Sequence, residues 1–308
     1  MQDIIPYFPV KQNINRSVAD RDLKYFIFDW DDNILRMPTY IHLERRLRDG
    51  TWVEHRVSTS AFAVVRNDTE NYRPPRGDWE QAFAEFRDFS TDDESKFLKD
   101  ARAAIDQIIS GGESPPPSFN TFRKTLAEGR IFAIVTARGH SSETLRRGVE
   151  LFIARVLTDE EKRVMLANLR GYLVAYEGEA ANAAKTDAQA LDYYLSLNKY
   201  HAVTSPQFAK LAEGKLFRPD HAEERKQFAI RDFIEYLFGI IERTGSRKPI
   251  SVGFSDDDPA NVRAVQEYIR SELAQRFPSV RFVLYDTSDP ALPNGRKITV
   301  SGQLLLDL

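Results

Sequence analysis

The sequence predicts an α/β protein: a doubly wound parallel sheet of the Rossmann-like kind, carrying mainly helical insertions. Three observations lead there. Four short runs, Tyr25 to Trp30, Ile131 to Thr136, Ile250 to Phe254 and Val280 to Tyr285, are apolar at successive positions, as strands buried on both faces are. Segments with helical spacing separate them, the alternation expected of strand-helix-strand units. The first three runs also end in polar residues, and the C-terminal ends of parallel strands share one edge, where open α/β sheets bind ligands.

The first strand runs into Asp29-Trp30-Asp31-Asp32-Asn33, three carboxylates within four residues. Asp29 and Asp31 are two apart and point to the same side of an extended chain. By itself the segment admits two readings: acid placed for chemistry around a cation, or an Asp-Asp-Asn turn that ends the strand. Beyond it, His42 to Leu47 and Thr51 to Ser58 flank Arg48-Asp49-Gly50, a hairpin signal. Helices are expected over Asp78 to Phe89 and Thr91 to Ile109, the second opening with the capping box Thr91-x-x-Glu94. Gly111-Gly112 and Pro115-Pro116-Pro117 end this insertion, because they do not continue a helix.

Ser118 to Glu128, closed by Gly129, reads as the helix leading into the second strand, which ends in Thr136-Ala137-Arg138-Gly139-His140. His140 marks the entry to a helix that begins near Ser141-Ser142. From Leu157 to His221 a second excursion reads as mainly helical, with capping boxes at Thr158-x-x-Glu161 and Thr186-x-x-Gln189. Within it Glu177 to Lys185 is expected to be loop, and His201 to Pro219 carries no pattern. An apolar-striped helix from Glu223 to Arg243, closed by Gly245, leads into the third strand, whose end is Ser255-Asp256-Asp257-Asp258-Pro259-Ala260-Asn261. Asp258 and Pro259 suit the N-cap and first position of a helix reaching Gln275. The core is therefore assigned to residues 20–60, 118–156 and 223–308, with a first insertion at 61–117 and a second, helical one at 157–222.

With 308 residues, 42% apolar and 29% charged, the chain has the make-up of a soluble globular protein. Its 43 basic and 46 acidic residues leave a net charge of -3, which offers no broad footprint for nucleic acid or an anionic membrane. The absence of cysteine excludes disulfides, thiolate nucleophiles and Cys-ligated zinc. Met1 to Val10 lacks the layout of a signal peptide, and no segment reaches the roughly 20 apolar residues of a membrane span, so a cytoplasmic location is expected. His42, His55, His140, His201 and His221 show no metal-ligand spacing. The aromatics of Tyr193-Tyr194 and Phe233 to Phe238 sit at core spacing and read as packing.

Asp29-Trp30-Asp31-Asp32-Asn33 after an apolar strand, Thr136 closing the second, Lys226 before the third, and Asp256-Asp257 with Pro259 and Asn261 after it form an ordered series. In order and spacing this series resembles the four motifs of the haloacid dehalogenase superfamily, in its phosphatase branch. The resemblance covers roughly residues 20–60, 118–156 and 223–290, and the remaining segments fall where that superfamily carries caps. It departs at Asn33, where Thr or Val is usual, and at Phe254, where many members have an acid. Lys226 is preferred to Lys185, Lys210, Lys215 and Arg225 because it begins the apolar-striped helix.

The resemblance implies a Mg2+-dependent phosphohydrolase acting on a phosphate monoester. Asp29 would attack phosphorus and carry the phosphoryl group as an aspartyl-phosphate. Mg2+ would be held by Asp29, the backbone carbonyl of Asp31 and Asp256, with Asp257 holding its waters or the lysine. Asp31 would protonate the leaving oxygen and then deprotonate water. Thr136, the backbone at Ala137, and Lys226 would bind the phosphoryl oxygens. Arg138 would add a substrate contact, or else pair with a helix carboxylate such as Glu143. The implied partner is a small phosphorylated substrate, with no nucleic acid and no membrane, and the extra helical surface gives a homodimer somewhere to form. Two alternatives stay open: a phosphotransferase or phosphomutase, and a catalytically inactive module that binds Mg2+ and a phosphorylated ligand.

Overall fold

A computed structural model describes residues 23–88, 95–216, 222–244, 249–289, 291–292 and 294–300. In chain order the strands are β1 (Leu23–Phe28), β2 (Ile41–Arg46), β3 (Trp52–Val57), β4 (Tyr72–Arg73), β5 (Phe132–Thr136), β6 (Lys199–Ala202), β7 (Ile250–Asp256), β8 (Val280–Asp286) and β9 (Arg296–Val300). Six of them form one sheet in the order β6-β5-β1-β7-β8-β9, parallel throughout except for β9, which runs antiparallel to β8. The protein is thus α/β, with helices on both faces of a mostly parallel sheet. Successive strand residues enter opposite cores, which explains the unbroken apolar runs. Phe28, Phe132 and Ile134 join one core with the helices Lys96–Ile109, Phe119–Ala127 and Ser142–Val156. Tyr25, Ile27, Ala133, Val135, Val252 and Phe254 join the other, with the helices Ala222–Thr244 and Pro259–Tyr268.

Strand β1 lies between β5 and β7, so the connections on its two sides diverge above its C-terminal end, the place where open α/β sheets form a crevice. Phe28 is in register with Ile134 on β5 and with Ser255 on β7. That register carries Asp29, Thr136 and Asp256 to the same sheet edge.

Several expectations need correction. The hairpin forms, but β2 and β3 pair with β4 in a separate three-stranded sheet ordered β3-β2-β4, so they belong with the first insertion and not with residues 20–60 of the core. Asp78 to Phe89 is not one helix. Asp78 caps a short helix, Trp79–Ala82, and a 3-10 turn, Ala84–Phe86, follows after Phe83 leaves helical geometry. The aromatic packing of Phe62, Trp79, Phe83 and Phe86 inside the insertion outweighs helix continuity there. Thr91 to Glu94 and Gly245 lie outside the described residues, and Ser95 is the N-cap of Lys96–Ile109. The second excursion is not wholly an insertion, since Lys199–Ala202 is the edge strand β6 and Pro206–Ala212 a helix against the sheet. The expected loop Glu177 to Lys185 contains the short helix Glu179–Ala183. Past Tyr268 the helix from Pro259 widens into a π segment, Ile269–Leu273, before ending at Arg276.

Both capping boxes form, at Thr158 with Glu161 and at Thr186 with Gln189. The first does more than start a helix. Glu161 Oε2 accepts the Thr158 N–H at 2.9 Å and also the Arg123 guanidinium at 2.8 Å, tying the helix Asp159–Glu177 to Phe119–Ala127 in the core. Among the described residues no helix is long and apolar enough to cross a membrane. Glu161→Ala removes the carboxylate that faces the buried Arg123 guanidinium and should lower unfolding free energy in urea by about 3–5 kcal/mol. A loss below about 1 kcal/mol, the range of a surface pair, would contradict this.

Candidate functional site

The end of β1 is held by its side chains as much as by its strand pairing. The Asp29 N–H donates to the Ser255 carbonyl at 3.0 Å, extending the pairing with β7 by one residue. The chain then turns back on itself. Ile34 and Leu35 N–H groups both donate to the Trp30 carbonyl, and Asp32 adopts a left-handed conformation with φ +52°, which Asp tolerates better than most residues. The turn reading of Asp-Asp-Asn is therefore correct for the backbone, and it coexists with acid at the crevice.

Asn33 is the brace of this turn. It is fully buried, and its Nδ2 donates to the Asp29 carbonyl at 2.9 Å and to Ser255 Oγ at 2.9 Å. Its Oδ1 accepts the Thr287 hydroxyl at 2.9 Å, so one amide joins the ends of β1, β7 and β8. A Thr or Val has too few polar atoms to make all three connections.

Around this frame the acids converge. Asp29, Asp256 and Asp257 each present an oxygen within 4.8 Å of the others. Lys226, on the second turn of Ala222–Thr244, projects its ammonium between them, 2.7 Å from Asp256 Oδ2 and 3.5 Å from Asp29 Oδ1. Asp256 Oδ1 is turned away, accepting the Asp258 N–H at 3.0 Å and Asn261 Nδ2 at 3.2 Å. Asp258 in turn caps the helix that Pro259 starts, as its sequence position predicts.

Burial raises the Asp29 carboxyl to about 8; Lys226 pulls it down, while Asp256 and Asp31 push it up. Asp257 is raised well above the carboxylate range, by burial first and then by its repulsion from Asp256 and Asp29. On Lys226 burial acts to lower the pKa, but the attraction of Asp256 and Asp29 outweighs it and the net shift is upward. Three carboxylates thus face one ammonium. Asp29 Oδ1 is buried and has no hydrogen-bond partner among the described residues. Asp29, Asp256 and Asp257 thus offer converging hard oxygen donors that could hold a metal ion.

Asp31 and Arg138 form a second centre. Arg138 Nε and Nη2 donate to the two oxygens of Asp31 at 2.8 and 2.6 Å, a bidentate pair, so Arg138 does not pair with Glu143. The Asp31 backbone carbonyl, expected to face the metal, accepts the Asn33 N–H at 2.6 Å. Thr136 is buried at the end of β5, and among the described residues its hydroxyl oxygen accepts one long 3.4 Å bond, from the Arg138 N–H. Ala137 is exposed, and its carbonyl takes the Thr204 hydroxyl at 3.0 Å. His140 precedes the N-cap Ser141, as expected, and packs on Phe97; burial and the nearby Arg138 depress its imidazole to about 3.

Residues that sequence reasoning missed surround Arg138. Thr39 Oγ1 accepts from Nη2 at 2.9 Å and donates to Asp100 at 2.7 Å, while the Phe86 and Phe97 rings lie 4.6 and 5.2 Å from the guanidinium carbon. Lys96 and Asp100 look in sequence like a solvated i,i+4 pair, yet Asp100 is buried, and only the fold reveals this. The apolar hollow between Leu43, Phe62, Val65, Tyr72 and Trp79 belongs to the insertion and not to this crevice. The chain matches no protein-family model, no curated protein and no solved structure.

Because folding raises the Asp29 carboxyl from 3.8 to about 8, the folded chain keeps a proton that the unfolded chain has released within that window. The resulting penalty is absent below it and grows as pH rises through it. In chelator, Asp29→Asn should therefore melt increasingly above the wild-type chain between about pH 5 and pH 8, with Mg2+ closing the gap. A gap in melting temperature that ignores both pH and Mg2+ would refute this account.

Proposed function

We propose that the chain is a Mg2+-dependent phosphohydrolase that transfers a phosphoryl group to Asp29 and then to water. The observation that carries the reading is the Lys226 ammonium set between Asp29 and Asp256, with Asp257 beside them, four residues from three separate parts of the chain meeting at one sheet edge. Fold stability does not call for such a cluster; acids buried at strand ends cost free energy. On this reading the six-stranded sheet is a doubly wound core of the haloacid dehalogenase kind, and the β2–β4 insertion is a cap over the crevice.

Asp29, Asp256 and Asp257 would hold Mg2+, which when bound offsets the repulsion between a carboxylate and a phosphate dianion. Asp29 would attack phosphorus through a carboxylate oxygen, beside the Lys226 ammonium 3.5 Å from its Oδ1. Its carbonyl is pinned by Asn33 at 2.9 Å, so the nucleophile is positioned before substrate arrives. Lys226, already neutralising Asp29 and Asp256, would extend its charge to the phosphoryl oxygens, and the Thr136 hydroxyl would donate to another. Water then frees Asp29 and releases phosphate. A phosphotransferase would pass the group to a hydroxyl instead, and product analysis separates the two.

With Mg2+ and an aryl phosphate, the wild-type chain should release phosphate, and Asp29→Asn should fall to background while keeping its fold by circular dichroism. Lys226→Met should lower turnover by roughly 10²–10³-fold, the loss expected for one electrostatic stabiliser. Unchanged turnover in Asp29→Asn would overturn the proposal. Binding of Mg2+ and phosphate without any turnover would favour the inactive module.

A further inference from the structure

Arg138 is held through its Nε and Nη2, while its buried Nη1 has no hydrogen-bond partner among the described residues. Its guanidinium is fully buried, lies between the Phe86 and Phe97 rings, and is bonded to Thr39, which Asp100 fixes at 2.7 Å while Lys96 holds Asp100 at 2.7 Å. Phe86 comes from the turn Ala84–Phe86, and Phe97, Asp100 and Lys96 from the helix Lys96–Ile109 that packs on the sheet, so the arginine is fastened to two parts of the fold at once. Its two N–H groups point at the two oxygens of Asp31, at 2.8 and 2.6 Å.

A carboxyl group that donates a proton to a leaving oxygen needs an O–H directed at it. Asp31 has each oxygen faced by a guanidinium N–H, and turning away would leave a buried guanidinium without its counter-ion. We infer that the Arg138 clamp takes proton donation away from Asp31 and so selects substrates whose leaving group departs unprotonated: acyl phosphates, phosphoanhydrides and esters of acidic phenols, in preference to esters of simple alcohols. The inference rests on the phosphohydrolase reading above. Arg138 is on this account a positioning residue.

The step balances without a proton donor. The Asp29 carboxylate forms a bond to phosphorus, the bond from phosphorus to the leaving oxygen breaks, and the electron pair leaves on that oxygen as a carboxylate, phosphate or phenolate. A water oxygen then bonds to phosphorus, the electron pair of the Asp29–phosphorus bond returns to Asp29, and both water protons leave on the phosphate as dihydrogen phosphate.

The test is kcat/KM of the full chain with Mg2+ for acetyl phosphate, p-nitrophenyl phosphate, phenyl phosphate and ethyl phosphate. The expected result is a steep fall along that series, with ethyl phosphate about 10²–10⁴-fold below p-nitrophenyl phosphate, the range that general-acid help would otherwise supply. Ethyl phosphate turning over as fast as the aryl esters would overturn the inference and leave the phosphohydrolase reading standing. Turnover of none of the four would overturn both. Arg138→Met keeps an apolar filling between the two rings and frees Asp31, so it should raise ethyl relative to p-nitrophenyl phosphate. A uniform loss across the series would give Arg138 a structural role only and overturn the inference; the wild-type series decides the matter if the variant does not fold.

Discussion

Two buried carboxylates and a half-buried third, facing one ammonium at the edge of the sheet, set the terms for everything around them. Asp29, Asp256 and Asp257 stand at the ends of parallel strands because β1 and β7 are in register, and neither strand has anywhere else to put its last residue. Water is largely excluded, so each acid feels the others at low dielectric and the Asp29 carboxyl is pushed to about 8, first by its burial. Lys226 offsets part of that charge from a helix on one side of the sheet. What remains is a pre-formed set of hard oxygen donors that could hold a metal ion.

A pre-formed cluster of this kind relaxes unless its frame is stiff. Asn33 supplies the stiffness on one side, with bonds to the ends of β1, β7 and β8. On the other side Arg138 pairs with Asp31 and fixes it, through contacts that reach the insertion at Phe86 and the core helix at Phe97. The insertion is also tied down near the crevice by the Thr59 hydroxyl on Asp32 at 2.6 Å and by Arg66 at 3.6 Å from Asp258. Whatever moves the insertion must therefore act on the crevice loops, and this coupling runs through a few named polar contacts.

Much of this was legible in the sequence, and for identifiable reasons. Strands covered on both faces leave unbroken apolar runs, and a polar residue at the end of such a run stands out, which exposed Asp29, Thr136 and Asp256. Lys226 was readable because it starts an apolar-striped helix. Edge strand β6 was not, since Lys-Tyr-His-Ala is four residues long and only its neighbour β5 makes it a strand. The break after Phe83 was hidden because the sequence pattern is helical and the aromatic contacts that override it are tertiary. The partner of Arg138 was unreadable too: Asp31 lies 107 residues away, while Glu143 lay close at hand in sequence.

The strand-end acids and Lys226 are proposed to form one cation-binding, phosphate-facing site. The most direct measurement is an anomalous difference map from a crystal of the full chain equilibrated with Mn2+, a stand-in for Mg2+ with the same preference for oxygen donors. The account predicts a peak within bonding distance of the Asp29 and Asp256 carboxylates, beside the Lys226 ammonium. An empty crevice at a Mn2+ concentration that fills other acidic surface sites would contradict it.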